Sequence, residues 1–486
     1  MDTTVKPSRM SRDQQLSAMT GGLQWELSYQ TTGRVIGAST SEDLDIRDMN
    51  AWQPALRNTV GAYWHSQGEK DKRLYAVTDA FSQNNGQLGI SDARYANALK
   101  ILLQAFVPIE YCAHKSLMRV ASESGECSWQ TDVLQQAIDH LRHSQIQVHA
   151  LSHFNKYFNG MHNYVECFDH HWLMSVAKSY ADDLLSAGPL ETLIAVCFAY
   201  NQVISKVLYV PFMSAAADNG DMSTATAGLS AASDKIRHHA NGLALVELLG
   251  RQHPANLAQV QAWIDKWFWR SVRLSSLIAV MQDYMLPVRT QSWKESWVTY
   301  VQQPLHQLFS HWAKLGIRLP AGWQQACEMQ EHVSHQTWLR MCRYNTQLPL
   351  HVWAPGEAEL QWLSNKYPGS FDSMFKPHLQ GLAHQISHGQ APVDDSSPVL
   401  CGTCQLPLPG MDHAGAHSAN ATMNGRFFCG VHCQGIFNIE PQKHSQQASL
   451  SAARSEWRLP LTSVNDRGLF GGSQDEINFQ HWNGET

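Results

Sequence analysis

The sequence predicts an all-α body with a small cysteine-bearing module near its C-terminal end. Three observations carry that expectation. Stretches with apolar residues at three- and four-residue spacing run from Ile90 to about residue 315. No apolar–polar alternation of comparable length breaks them up. Four cysteines then gather between positions 401 and 433, after a change to loop-forming composition.

Residues 1–88 mix turns with aromatic clusters such as Ala62-Tyr63-Trp64, and read as an extension packed on the body. The body, 89–385, opens at Ser91-Asp92, where a polar cap and a first-turn acid precede ARYANALKILLQAFVPIEYCAHKSLMRVA. Pro108 inside that stretch should kink the helix. A second helix covers about Thr131 to His153, with Leu134, Ile138, Leu141 and Val148 along it. A third follows Gly188-Pro189 and runs from Glu191 to Tyr209, ending before Pro211. A fourth covers Thr226 to Leu249 and stops at Gly250, a residue that favours helix ends. Further helical stretches occupy about 255–285 and 292–315. Residues 386–400 read as a linker, 401–442 as the cysteine module, and 443–486 as a polar tail without a core of its own.

Bulk composition narrows the function classes. The chain of 486 residues is 43% hydrophobic, enough for a large buried core. A formal charge of -6 leaves no broad cationic surface for phosphate backbones, so no nucleic-acid partner is expected. The polar start MDTTVKPSRMSRDQQ is no secretory signal, and no apolar stretch is long enough for a bilayer. Ten cysteines, six of them scattered, suit a reducing cytoplasm. Tryptophans such as Trp263, Trp267 and Trp269 fit core and subunit-interface packing. No G-x-S-x-G, P-loop or G-x-G-x-x-G stretch marks a hydrolase, phosphotransferase or nicotinamide enzyme.

The body carries one internal echo. Asp139-His140-Leu141-Arg142-His143 on the second helix and Asp234-Lys235-Ile236-Arg237-His238 on the fourth both read D-x-x-R-H. Residues three apart share a helix face, so His140 pairs with His143 and Lys235 with His238. Two bundle helices presenting such pairs inward have the geometry of a carboxylate-bridged metal site, where each pair is normally Glu and His.

The stretches NNGQLGISDARYANALK, AIDHLRHSQIQVHALSHFNK, VLYVPFMSAAADNGDM, WIDKWFWR and LQWLSNKYPGSFD resemble the large hydroxylase subunit of bacterial multicomponent phenol hydroxylases. Toluene and soluble methane monooxygenases share that architecture. The resemblance spans about Trp25 to Pro441 and implies a ferritin-like bundle. It also implies smaller hydroxylase subunits, a coupling protein and an iron-sulfur flavin reductase as partners, and a small aromatic or hydrophobic substrate oxidised with O2. The family binds two irons through four glutamates and two histidines. Glu110 matches the first glutamate, and His143 and His238 match the histidines. His140, Asn201 and Lys235 stand where the family has glutamates. Ser205 stands for the family's active-site threonine, and Lys206 for its asparagine. Asp139 and Asp234 match the acids that orient the opposite histidines, with Arg142 and Arg237 beside them.

Each of the three replacements removes a negative charge. Two divalent ions with one carboxylate and one ammonium would sum to about +4 in a buried site, which is very costly. An intact di-iron centre is therefore not expected. Two arrangements remain open. In one, Glu110, His140, His143 and His238 hold a single iron or other first-row ion, with Asn201 and Ser205 beside it, and the chain is an oxidoreductase with an altered site. In the other, Lys235 pairs with Glu110 in place of the lost cation, and the chain is a catalytically silent structural or regulatory subunit.

Cys401-Gly402-Thr403-Cys404 and Cys429-Gly430-Val431-His432-Cys433 form C-x2-C and C-x3-C pairs with 24 residues between them. Four thiolates at this spacing close a tetrahedral structural zinc site and stabilise a segment too small to build its own core. The phenol hydroxylase large subunit looks the same here. His413, His417 and His432 read as loop residues rather than ligands.

Overall fold

The computed structural model describes residues 59–90, 93–123, 127–158, 172–334, 357–366, 400–406 and 426–445, with isolated positions elsewhere. Long helices dominate: α1 Val60–Gln83, α2 Ala93–Glu123, α3 Cys127–Phe154, α4 Ser175–Ser186, α5 Pro189–Leu193, α6 Met222–Gln252 and α7 Asn256–Leu274. Between α5 and α6 the chain continues as two π-helical segments, Ile194–Ser205 and Leu208–Phe212. The only β-strands among the described residues are the antiparallel pair Thr422–Met423 and Arg426–Phe427.

The most extensive packing is α2 on α3, and α6 and α7 both lie against the first π segment. Shape requires a glycine at one crossing. A Cβ on Gly242 would sit 2.4 Å from the Cys197 carbonyl oxygen, so α6 approaches the π-helical backbone more closely than any side chain allows. Trp267, Trp293, Trp297 and Trp312 are fully buried, in line with the packing role expected of the tryptophans.

Several boundaries differ from the sequence expectations. The stretch read as turns holds the 24-residue helix α1, capped by the Thr59 side chain accepting from the Ala62 N–H. Its polar outer face hides a helical repeat of inward residues: Tyr63, Gln67, Leu74 and Thr78 are its buried positions. Helix α2 spans Pro108, as the single helical stretch expected there, and its Ser91-Asp92 cap lies outside the described residues. Helix α4 went unread because almost all of it is buried, polar residues included, leaving no amphipathic contrast. The chain stays helical through Pro211 to Phe212. In the wider π register, hydrogen bonding skips the i−4 carbonyl that a proline ring would obstruct. Helix α6 passes Gly250 and ends at Gln252. A short helix, Pro441–Ser445, crosses the boundary drawn at residue 442. The rest of the tail, most of the linker and His413 and His417 lie outside the described residues.

No single described helix is long and apolar enough to cross a membrane. One bent pair, Pro189–Ser205 with Leu208–Asn219, passes by length and composition. Most of its residues belong to the buried core of the bundle.

A candidate metal centre closed by a lysine

Five elements converge on Glu110, at the middle of α2 and fully buried. Helix α3 contributes Asp139, His140, Arg142 and His143, and α6 contributes Asp234, Lys235, Arg237 and His238. The π-helical segments add Tyr200 and Tyr209, and α1 adds Tyr63, Gln67 and Lys70. The three-residue spacing of both D-x-x-R-H stretches turns each inner pair toward the same point.

At that point sits the Lys235 ammonium. Its Nζ lies 3.1 Å from both Glu110 carboxylate oxygens and 3.1 Å from His140 Nδ1. His140 Nδ1 is 2.6 Å from Glu110 Oε2. Tyr200 and Tyr209 donate their hydroxyls to Oε1 at 3.0 and 2.5 Å. The same two rings flank Nζ, with centroids 5.3 and 5.7 Å away. A charged carboxylate therefore has a cation across both oxygens and two phenol donors on one of them. Burial works to raise the Glu110 carboxyl, but Lys235 and His140 overcome it and hold it well below the usual range. Burial, followed by the Lys235 charge, pushes His140 down to about 4, so its imidazole is neutral at pH 7. Burial likewise pulls Lys235 down, and the Glu110 carboxylate opposes that pull.

Around this core runs a second polar ring. Asp234 Oδ2 lies 3.2 Å from His143 Nε2, and Asp139 Oδ2 lies 2.9 Å from His238 Nε2, so each acid holds the histidine of the opposite helix. Arg142 donates to both acids at 3.0 and 3.1 Å, and Arg237 donates to Asp139. Tyr63 donates to Asp139 at 2.8 Å, while Gln67 and Lys70 donate to Asp234 at 2.9 and 2.6 Å. These outer bonds leave both Nδ1 atoms facing inward. His143 Nδ1 lies 3.4 Å from Glu110 Oε2, and the buried His238 Nδ1 has no hydrogen-bond partner among the described residues.

Asn201 and Ser205 do not join Glu110. Asn201 Nδ2 donates to the Cys197 carbonyl at 3.2 Å, and its Oδ1 accepts from Ser205 Oγ at 3.1 Å. Lys206 is a neighbour of His239, whose imidazole is lowered to about 4, first by burial and then by that lysine. Sequence reasoning missed Tyr63, Gln67 and Lys70, because α1 went unread, and the Glu110-bound Tyr200 and Tyr209. A spacing of four and then three along α1 was the available signal for the first group.

The second candidate site is the cysteine cluster. The four sulfurs of Cys401, Cys404, Cys429 and Cys433 all lie within 4.8 Å of one another. Cys404 and Cys429 are 3.6 Å apart, and Cys429 and Cys433 are 3.3 Å apart. A tetrahedral ion with Zn–S bonds near 2.3 Å spaces its sulfurs by roughly 3.8 Å, so the donor set fits one. The segment is docked on the bundle: Ser175 and Ser179 on α4 donate to the Gln405 and Thr403 carbonyls, and Trp269 Nε1 lies 3.3 Å from Cys433 Sγ. His432 packs on the Trp269 ring at 4.6 Å.

Residues 25–253 match the family described as methane/phenol/alkene hydroxylase. Over 98% of this chain and 91% of the relative, the sequence is 41% identical to the oxygenase component of phenol 2-monooxygenase from Pseudomonas sp. strain CF600. The chain belongs to the phenol hydroxylase family. The crystal structure of xenon-pressurised phenol hydroxylase from Pseudomonas sp. OX1 superposes with a TM-score of 0.75 at 38% identity, covering 98% of this chain and 95% of that one. More distant is the methane monooxygenase component A alpha chain of Methylococcus capsulatus, 21% identical over 64% of this chain and 60% of that one. The family is one of oxygenase components of multicomponent, metal-dependent monooxygenases, and this chain carries its helical fold.

The donor set at the centre of this phenol hydroxylase homologue can be set against what a di-iron cluster requires. A di-iron cluster needs bridging carboxylates from the facing helices. Here Glu110 has the His140 imidazole and the Lys235 ammonium on its carboxylate, and the Asn201 amide is turned to its own backbone. These residues do not fit two irons. Glu110, His140 and His143 do bring three ligand atoms within 4.8 Å, the spacing a single ion would use.

Proposed function

We propose that this chain is a non-catalytic large-subunit homologue of a phenol-hydroxylase-type monooxygenase, with an internal ion pair where its relatives hold two irons. One observation carries the reading: Lys235 Nζ is 3.1 Å from both Glu110 oxygens, at the heart of the bundle. A buried cation so placed repels a metal and neutralises the carboxylate that would bind it. The polar ring of Asp139, Asp234, Arg142 and Arg237 then persists because removing any member strands the others in a buried setting. As a structural or regulatory subunit the chain would assemble with smaller hydroxylase subunits. The coupling protein and iron-sulfur flavin reductase would be the assembly's transient partners, and the Cys401, Cys404, Cys429 and Cys433 cluster would hold a structural zinc.

A second reading has support from Glu110, His140 and His143, whose ligand atoms lie within 4.8 Å of one another and suit a single first-row ion, with a small aromatic molecule as substrate. His238 is not part of that group, and its buried Nδ1 has no hydrogen-bond partner among the described residues. Elemental analysis of the purified full chain, beside His143→Ala, decides between the two. The non-catalytic reading expects no iron and a metal content unchanged by His143→Ala. A metal lost in that variant overturns it in favour of the second. Reconstitution with reductase, coupling protein, phenol and O2 should give no hydroxylated product above the level without this chain.

A further inference from the structure

Helix α3 bears a second histidine pair two turns beyond the first, and nothing in the centre described above uses it. His149 and His153 are four apart and share a face of the helix. Opposite them, near the end of α1, stands Asp79. His149 Nε2 and His153 Nε2 lie 2.9 and 3.2 Å from the same Asp79 oxygen and 3.3 Å from each other. Three potential ligand atoms thus form a nearly equilateral triangle. A first-row ion with bonds of about 2.0–2.1 Å to nitrogen and oxygen spaces its tetrahedral ligands by roughly 3.3 Å. The triangle therefore has the edge length of one face of such a coordination shell.

We propose that Asp79, His149 and His153 form a peripheral site for a first-row divalent cation, zinc foremost, that clamps α1 to α3. Two imidazoles and a carboxylate match the donor preference of zinc and its neighbours. The Asp79 side chain is 42% exposed and that of His149 20%, whereas that of His153 is 3%. Water can therefore fill the open coordination positions, and the ion can enter from solvent. Tyr75 packs edge-on against the His149 ring, centroids 4.7 Å apart, and fixes its plane. Unlike the central cluster, this one has no ammonium set against its carboxylate among the described residues, and Asp79 makes its ion pairs with these two imidazoles.

The test uses the full chain, cleared of loosely held metal by a chelator and titrated with zinc and, separately, with cobalt. The wild-type protein should take up one zinc equivalent more than either His149→Ala or Asp79→Asn. The extra cobalt equivalent should show d–d bands without thiolate charge transfer, which separates it from the cysteine cluster. His143→Ala should retain it, which separates it from the bundle centre. Equal uptake by the wild type and both variants would overturn the proposal and leave Asp79 as a plain acceptor of two imidazole N–H groups. Loss of the equivalent in His143→Ala would overturn it as well.

Discussion

Two three-residue clusters on one helix differ in what lies across their carboxylates. Near its middle, α3 offers His140 and His143 to Glu110, and nearer its end it offers His149 and His153 to Asp79. Both pair imidazoles with one carboxylate at hydrogen-bond range. The central cluster is wholly buried and has a lysine across its carboxylate. The peripheral one is partly open and has no lysine on its carboxylate among the described residues. On the readings proposed above, the difference teaches that ligand-type residues at ligand spacing are not sufficient for a metal site. What decides is whether the charge an ion would bring is already supplied by the protein.

The largest effect should come from removing that supplied charge. Lys235→Met leaves Glu110 buried with no cation, at a cost of about 3–5 kcal/mol in unfolding free energy by urea titration. The Glu110→Gln, Lys235→Met double variant should recover most of it, because a neutral amide can use the Tyr200 and Tyr209 hydroxyls. A double variant as unstable as the single one would break the ion-pair account of the centre.

The next effect is acid sensitivity. Burial lowers His140 to about 4 and His238 to about 3. An unfolded imidazole takes its proton near pH 6.5, so between there and pH 4 the unfolded chain binds more protons than the folded one. The stability tied to these two imidazoles should be full above pH 6.5 and decline as pH falls, by roughly 3 kcal/mol for each at pH 4. Glu110, held below its unfolded value, adds a further loss in the same direction once pH drops under about 4.5. His143, lowered by burial but raised on balance by Asp234 and Glu110, works in the opposite direction. Urea midpoints measured from pH 7 to 4.5 should fall less steeply in His140→Gln than in the wild type. Equal slopes would mean that His140 is charged in the folded state and that the centre is organised differently.

Smallest is the peripheral contrast. In metal-free protein, Asp79→Asn should change unfolding free energy by no more than about 0.5 kcal/mol, as expected of a half-exposed side chain. With saturating zinc the gap should widen, because only the wild type gains from binding. A gap that stays the same with and without zinc would place the two clusters in one class, both without a bound ion.

Much of the fold was legible because it rests on local pattern. The apolar spacing along α2, α3, α6 and α7 marks helices whatever their neighbours, and D-x-x-R-H puts its inner residues on one face by helical geometry alone. Helix α4 was not legible, because its polar residues are satisfied by distant partners. Ser175 and Ser179 donate to carbonyls some 230 residues further along the chain. Pro211 misled for a related reason, since the π register that tolerates it is set by packing.

The same division holds at the centre. From the residues alone it follows that two D-x-x-R-H stretches present His140 with His143 and Lys235 with His238 on one face of their helices; that a family glutamate stands at three central positions is what the resemblance implies. Those are matters of residue type and helical phase. Only the tertiary structure decides that the Lys235 stem carries its ammonium onto Glu110, that Asn201 turns to its own helix with Ser205, and that two tyrosines complete the carboxylate's shell. A long flexible side chain has many rotamers, and the choice among them is made by where the buried charge it must neutralise lies.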